Sequence, residues 1–176
     1  MKAITYLCFS ILLATFLIPS CNLVDEVNQF DFDADFSAEL EVMIPPEIRE
    51  VNFHASASID PSADSNFSKH FDKIKEIHIN EIMGVVAELD EDFKIIETTI
   101  TIYSDTHSTQ WSFFDIDVAG GIIFVLGNDE GQWELVRKIL KGNKTFTVEI
   151  DGTANKGDIY FRVPTFIRTT IYAESS

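Results

Sequence analysis

The sequence predicts an all-β domain, an immunoglobulin-like or Greek-key β-sandwich of about seven strands with one inserted helix. Three observations favour it. Apolar and polar residues alternate with a period of two along much of the chain after residue 29, clusters of turn residues separate these runs, and one segment has a clear helical pattern. A closed lipocalin-like barrel is the alternative.

Residues 1–20, which precede the strands, have the pattern of a secretory signal peptide. Lys2 supplies a positive charge, and an apolar run over residues 4–18 follows and ends at Pro19. A membrane-spanning helix needs roughly 20 apolar residues, so this run is too short to be one. We therefore expect residues 1–20 to be removed.

The segment Leu17-Ile18-Pro19-Ser20-Cys21 resembles a bacterial lipobox, in which aliphatic, variable and small residues precede a cysteine. The resemblance implies cleavage before Cys21 and acylation of its sulfur and its new amino group. Pro19 departs from the commonest lipobox, and an ordinary secretory peptide with an incidental Cys21 is the alternative. Because Cys8 would leave with the signal peptide, the mature chain would have no thiol for a disulfide.

Residues 21–29 are expected to be a short tether before a domain over residues 30–173. Eight extended residues reach at most about 26 Å, so the domain would stay close to its bilayer. Several acyl chains anchor a protein durably. Because Asn22 follows Cys21, rather than the Asp that retains some lipoproteins at the inner membrane, we expect the outer membrane of a cell envelope.

The chain is strongly acidic. Its formal charge is −16, from 13 Lys and Arg against 29 Asp and Glu, and loss of Lys2 with the signal peptide would make it −17. Affinity for nucleic acid that is independent of sequence comes from Lys and Arg, so nucleic acid is excluded as an expected partner. An anionic bilayer would also repel the acid-rich segment from Asp25 to Glu50.

The first two predicted strands are residues 30–42 and 51–59. In both, apolar residues alternate with polar ones, so each strand is expected to bury one face and expose the other. Pro45 and Pro46 end the first strand. The alternation in residues 30–42 is the clearest structural pattern in the sequence.

A short helix and a third strand follow a turn cluster at residues 60–65. Asn66 is expected to cap the helix, whose apolar positions at helical spacing are Phe67, Phe71 and Ile74. The third strand is expected to begin at Ile77 and to extend to about Leu89, with an irregularity near Gly84.

The remaining predicted strands are residues 93–103, 111–118, 145–150 and 158–172. The first of these has apolar residues on both sides and is expected to be central, and the last is expected to bend at Pro164. Between the second and third lies the clear helix, which begins at Asn128 or Asp129 and ends at Gly142, with an apolar stripe of Trp133, Val136 and Leu140.

The order of these features resembles small, uncharacterised lipoproteins of Gram-negative bacteria. The resemblance rests on the lipobox, the acidic first strand, the segments 69–77 and 144–154, the later helix and a threonine-rich last strand. It covers most of residues 20–173 and implies an envelope location. Because its motifs are hydrophobic patterns, it implies no activity.

Motifs of enzymes and of bound cofactors are missing from the sequence. None of the four histidines lies in a metal-ligand spacing, and neither G-x-S-x-G nor G-x-x-x-x-G-K occurs. We therefore predict a chain that is not an enzyme and binds no cofactor.

A weak calcium candidate is the row Asp31, Asp33 and Asp35 on the first strand. Alternate residues project from one strand face at intervals of about 6.6–6.8 Å. Carboxylates bind Ca²⁺, but an extended row cannot converge on one ion without help from another segment, and the spacing matches no EF-hand loop. A solvated face that discourages strand addition is the preferred interpretation.

A weak ligand platform is predicted from aromatic residues. Ser112, Phe114, Ile116 and Val118 form the better core face of their strand, which would leave Trp111 and Phe113 outside beside Asp115 and Asp117. Tyr160 and Arg162 would lie on the outside of the last strand. Such a set could stack on sugar rings. The preferred alternative is that the helix covers Trp111 and makes it part of the core.

The sequence therefore predicts a lipid-anchored envelope protein, attached to its membrane through Cys21, that acts as a non-enzymatic binding or structural accessory module. Its expected partner is another envelope protein. A glycan-binding module that uses surface aromatic residues is the alternative.

Overall fold

Eight antiparallel strands dominate the computed structural model, which describes residues 29–47, 49–142 and 144–175. They are β1 (Gln29–Ile44), β2 (Val51–Ile59), β3 (Ile74–Val85), β4 (Phe93–Tyr103), β5 (Ser108–Val118), β6 (Ile123–Val125), β7 (Phe146–Ala154) and β8 (Ile159–Glu174). The helices are α1 (Ser65–His70) and α2 (Gln132–Lys141), and single 3₁₀ turns at Pro61–Ala63 and Phe71–Lys73 flank α1. The short strand β6 is the one that the sequence pattern did not predict.

The strands form two four-stranded sheets that pack as a β-sandwich. Sheet 1 has the order β1-β8-β3-β6, and sheet 2 has the order β2-β7-β4-β5. The sheets do not close into a barrel, so the predicted sandwich is confirmed over the lipocalin-like alternative. Strand β4 lies between β7 and β5, which confirms that residues 93–103 form a central strand.

The core lies between the inner faces of the two sheets. Alternate residues of β1 from Ala34 to Ile44 are buried there, as their period predicts. The Phe161 ring contacts Phe53 and Phe93 of the opposite sheet, with centroids 6.1 and 5.3 Å apart. Fully burying one such side chain stabilises the fold by about 1.5–3 kcal/mol. Apolar contacts of this kind therefore hold the two sheets together.

Helix α1 is shorter than its sequence pattern predicts and has a different cap. The Asp64 carboxylate accepts a 2.8 Å hydrogen bond from the Phe67 amide, so Asp64 and not Asn66 is the N-cap. Phe67 is buried, whereas Ile74 already belongs to β3. The prediction failed because Asp64 and Asn66 are both good caps, and only the geometry of the turn decides between them.

Strand β3 is irregular, but not at the predicted position. Its pairing with β8 shifts between Ile74 and Glu76 and again between Ile79 and Glu81, whereas Gly84 pairs regularly with Thr165. A Cβ atom on Gly84 would lie 2.9 Å from Cγ1 of Val163. The glycine therefore allows the close approach of β8 and does not mark a bulge. The strand ends at Val85, earlier than predicted.

Strand β8 continues through Pro164 although it lies in the middle of sheet 1. Its pairing with β3 ends at Gly84 and Thr165, and one further bridge joins Ala87 to Arg162. Pro164 lies in the gap between these pairs, so its missing N–H costs no ladder bond with β3. This gap in the ladder between β3 and β8 explains why a proline is tolerated in a central strand.

Helix α2 packs against the sandwich beside β5 and β3. It begins at Gln132, later than predicted, although the Asn128 side chain accepts a 2.9 Å hydrogen bond from the Trp133 amide. Gly142 ends it as predicted, and its amide donates to the carbonyls of Lys138 and Ile139. The buried face consists of Val136, Ile139 and Leu140.

The predicted signal peptide of residues 1–20, Cys21 and the tether up to residue 28 lie outside the described residues. Within the described ranges, every helix is too short and too polar to cross a bilayer.

Candidate functional sites

The predicted aromatic platform begins on β5, where the structure corrects the predicted core face. Trp111 is 7% exposed and belongs to the core, whereas Phe114 is 67% exposed. The helix-covered alternative is therefore the correct one for Trp111. The Trp111 indole Nε1 donates a 2.6 Å hydrogen bond to the Gly127 carbonyl, just before α2.

The burial of Trp111 and the exposure of Phe114 have a local cause at Asp115. This residue has a φ of 59°, in the left-handed region, and the inward positions of β5 change from odd to even numbers there. Val118 is therefore buried as predicted, although alternation alone would place Trp111 on the outer face. A bulge at Ile96 in β4 accompanies this change of the inward positions. The bulge is visible in the pairing, since Ile95 and Glu97 pair with consecutive residues of β7.

The other predicted platform residues of β5 take separate roles. The half-buried Phe113 ring packs on Phe124 of β6, with centroids 5.2 Å apart. Asp115 and Asp117 are exposed, and a carboxylate oxygen of Asp115 lies 2.6 Å from Nζ of Lys94. The hydrogen bond and charge of Asp115 raise the pKa of Lys94.

Tyr160 and Arg162 lie in the other sheet, on the outer face of β8. Nε of Arg162 donates to the Tyr160 hydroxyl oxygen at 3.0 Å. The same guanidinium forms ion pairs of 2.7 Å with Glu39 and 3.0 Å with Glu88. The hydrogen bond to Tyr160 and the two carboxylates raise the pKa of Arg162. The structure therefore does not bring the six predicted platform residues into one site.

The predicted acidic row lies on the outer face of β1, as expected. Asp31, Asp33 and Asp35 are exposed, and Asp33 accepts a 3.0 Å hydrogen bond from the Thr170 hydroxyl. These three residues lie in a row along one extended strand. The group of possible metal-ligand side chains that converges in the described chain lies elsewhere.

An apolar patch occupies part of the outer face of sheet 1. In β6, Ile123 is 54% and Val125 66% exposed, and they pair with Val85 and Met83 of β3. Met83 in turn pairs with Phe166 of β8. Cross-strand partners point to the same face of a sheet, so these side chains are neighbours. We define the apolar patch as Met83, Val85, Ile123, Val125, Pro164 and Phe166.

Charged side chains border the apolar patch on two sides. On one side, Arg168 forms a 2.9 Å ion pair with Glu81. On the other side is the network of Arg162 with Glu39 and Glu88. The three carboxylates exceed the two guanidinium groups, so this border is net negative.

The outer face of sheet 2 is polar and rich in hydroxyl groups. A cavity of about 380 Å³ opens on it, with Phe114 in its wall. Its polar wall includes Thr153, whose hydroxyl donates to the Asn52 side chain at 2.9 Å, and Thr99, whose hydroxyl lies 3.3 Å from that of Ser112. Sequence reasoning missed this cavity because it placed Phe114 in the core.

Comparison of the chain with protein-family models and with curated proteins gave no significant match.

Proposed function

We propose that this protein is a lipid-anchored, non-enzymatic module of the cell envelope that engages another protein through the apolar patch. The observation that carries the proposal is the exposure of Ile123 and Val125 on the outer face of sheet 1, next to Met83 and Phe166. Contiguous exposed apolar surface of this kind commonly marks an interaction site.

The chemistry of the patch specifies the kind of partner. Burial of apolar surface contributes about 25 cal/mol per Å², so an apolar centre on the partner is favoured. The net negative border and the formal charge of the chain favour positive residues around that centre. The same charge opposes association of two copies of this chain. The proposed partner is therefore a protein surface with an apolar centre and a basic rim.

Acylated Cys21 would hold the module at the membrane. The lipobox-like segment before Cys21 and the short tether support this part of the proposal. A tether of at most about 26 Å limits the partner to proteins in or near the same membrane. The outer membrane is the proposed location.

A photo-crosslinking amino acid at position 125, in intact cells, tests the interaction. We expect an adduct with one envelope protein, and we expect Met83→Asp to abolish it because a charge would be buried at the interface. The matched control is the same probe at position 114, an exposed hydrophobic site on the other sheet. Equal adducts from both positions, or an adduct that survives Met83→Asp, would contradict the proposal.

A second candidate function is glycan binding at the cavity of sheet 2. It is favoured by Phe114, which is exposed beside amide, hydroxyl and carboxylate groups that can bind sugar hydroxyls. Titration with cell-wall oligosaccharides tests it. Phe114→Ala should reduce the affinity at least tenfold, whereas Val125→Ala should leave it unchanged. An oligosaccharide that binds both variants equally well would exclude the cavity.

A further inference from the structure

We propose that His54, Glu149 and Asp151 bind a divalent transition-metal ion of the Zn²⁺ class on the outer face of sheet 2. Each of the three side chains offers one ligand atom, and these atoms all lie within 4.8 Å of one another. The inference is independent of the proposed protein partner, because it concerns the opposite sheet from the apolar patch.

The strand register builds this cluster. His54 of β2 pairs directly with Asp151 of β7, and Glu149 lies two residues earlier on the same face of β7. The His54 Nδ1 atom is 2.9 Å from a carboxylate oxygen of Asp151. Ligand atoms that each lie about 2.0–2.2 Å from one tetrahedral ion are separated by a little over 3 Å. Small side-chain rotations would therefore bring the three groups around one ion.

The donor set selects the class of metal. An imidazole nitrogen with two carboxylates suits Zn²⁺ and its neighbours, whereas Ca²⁺ and Mg²⁺ prefer sites made entirely of oxygen. With a neutral imidazole, Glu149 and Asp151 bring two negative charges, which match the charge of a divalent cation. Three protein ligands leave at least one coordination position for water or another ligand.

The surroundings of the cluster support an ion with an open position. The Tyr103 hydroxyl donates to a carboxylate oxygen of Glu149 at 3.2 Å and orients this side chain from β4. Such second-layer hydrogen bonds hold metal ligands in place. Asp151, in turn, also lines the cavity of about 380 Å³. This cavity offers room for a further ligand of the ion.

The chain contains a matched control for this site. His78 and Glu76 of β3 also form a 2.9 Å imidazole–carboxylate contact at an exposed position, with side chains 50% and 62% exposed. The corresponding values are 56% for His54 and 52% for Asp151. The convergent group in the described chain adds Glu149 to the His54 pair and does not include His78. A specific site should therefore depend on His54 and not on His78.

Calorimetric titration of the purified full chain with Zn²⁺ tests the proposal, with Ca²⁺ as a competitor. We expect one saturable Zn²⁺ site per chain, which excess Ca²⁺ does not displace. His54→Ala and Asp151→Asn should each weaken Zn²⁺ binding at least tenfold, and His78→Ala should not. Glu149→Gln, which keeps the size of the side chain, should also weaken it, and circular dichroism should show all variants folded.

Three results would overturn the proposal. Zn²⁺ binding that His54→Ala leaves unchanged would show that the imidazole is not a ligand. Equal losses in His54→Ala and His78→Ala would show non-specific binding at exposed imidazole–carboxylate pairs. Failure of Zn²⁺ to saturate a site at millimolar concentration would show that the His54–Asp151 contact is only a surface hydrogen bond and not part of a metal site.

Discussion

The indole Nε1 of Trp111 donates a 2.6 Å hydrogen bond to the carbonyl oxygen of Gly127. One residue earlier, the Leu126 carbonyl accepts a 2.8 Å hydrogen bond from the Trp133 indole. The two tryptophans therefore bind consecutive carbonyl groups of the segment between β6 and α2. These bonds join β5, the edge strand of sheet 2, to the helix that covers it.

Replacement of Trp111 with Phe should destabilise the domain. The change keeps an aromatic ring in the core but leaves the Gly127 carbonyl without its donor, which costs about 1–3 kcal/mol. Chemical denaturation followed by circular dichroism measures the loss. The control is Phe114→Ala on the same strand, whose exposed ring should contribute less than about 0.5 kcal/mol to the free energy of unfolding. A larger loss for Phe114→Ala would contradict the exposed placement of that ring.

The cap of α1 can be tested by comparing two neighbouring residues. Asp64→Ala removes the hydrogen bond to the Phe67 amide and should lower the free energy of unfolding by about 0.5–2 kcal/mol. Asn66→Ala, at the position that the sequence pattern favoured, should change it much less. Thermal unfolding of both variants distinguishes the two caps, and the reverse order would restore Asn66 as the N-cap.

Gly152 should resist substitution because β7 passes close to its neighbours there. A Cβ atom would lie 2.4 Å from the Phe53 ring and 2.7 Å from the Glu97 carbonyl oxygen. Gly152→Ala should therefore cost about 1–3 kcal/mol of stability. At Gly120 nothing lies within 4 Å of such an atom, so Gly120→Ala should be nearly neutral in the same denaturant titration. Similar losses at both positions would contradict this packing.

Acid should weaken the interaction of Glu134 with its helix neighbours. The hydrogen bond and charge of Arg137 lower the pKa of Glu134 below its ordinary value of 4.5. The ionised form is the one stabilised in the folded protein, so the contribution is present above pH 4.5 and is lost as pH falls through the lowered pKa. The difference in Tm between the native protein and Glu134→Gln should therefore be largest near neutral pH and should shrink in acid. A difference in Tm that grows in acid would contradict a lowered pKa of Glu134.

Membrane attachment should depend on Cys21. If acylation at this residue anchors the chain, Cys21→Ala should abolish labelling by a fatty-acid analogue and move the protein to the soluble fraction. Cys8→Ala provides the control, because Cys8 belongs to the predicted signal peptide and should be dispensable for anchoring. Unchanged membrane fractionation of Cys21→Ala would contradict the lipid anchor.

Most of the sandwich could be predicted because the strands bury one face and expose the other. Residues 51–59 and 93–103 have the predicted bounds, and β1 follows its alternation throughout. The failure on β5 came from a change of alternation at Asp115, which depends on backbone geometry that composition does not encode. Periodicity assumes an unbroken pleat. Because of one residue with positive φ, alternation alone assigned Phe114 to the core face and Trp111 to the outer face.

The candidate sites were harder to predict because strand register creates them. His54 and Asp151 are 97 residues apart, and only the pairing of β2 with β7 places them side by side. The apolar patch also depends on pairing, since β6 contributes just the three residues Ile123–Val125. Motifs with short spacing in a sequence cannot show contacts between distant strands.

The pairing of β1 with β8 has a consequence for the order of folding. Strand β1 is the first described strand and β8 is the last, so β1 cannot complete its ladder until the chain is available as far as Glu174. Until then, a 16-residue segment with one apolar face lacks its partner strand. The acidic residues on its other face would then limit aggregation, as edge charges do. Because β1 remains at the edge of sheet 1 after folding, the same charges would also oppose strand addition to the folded domain.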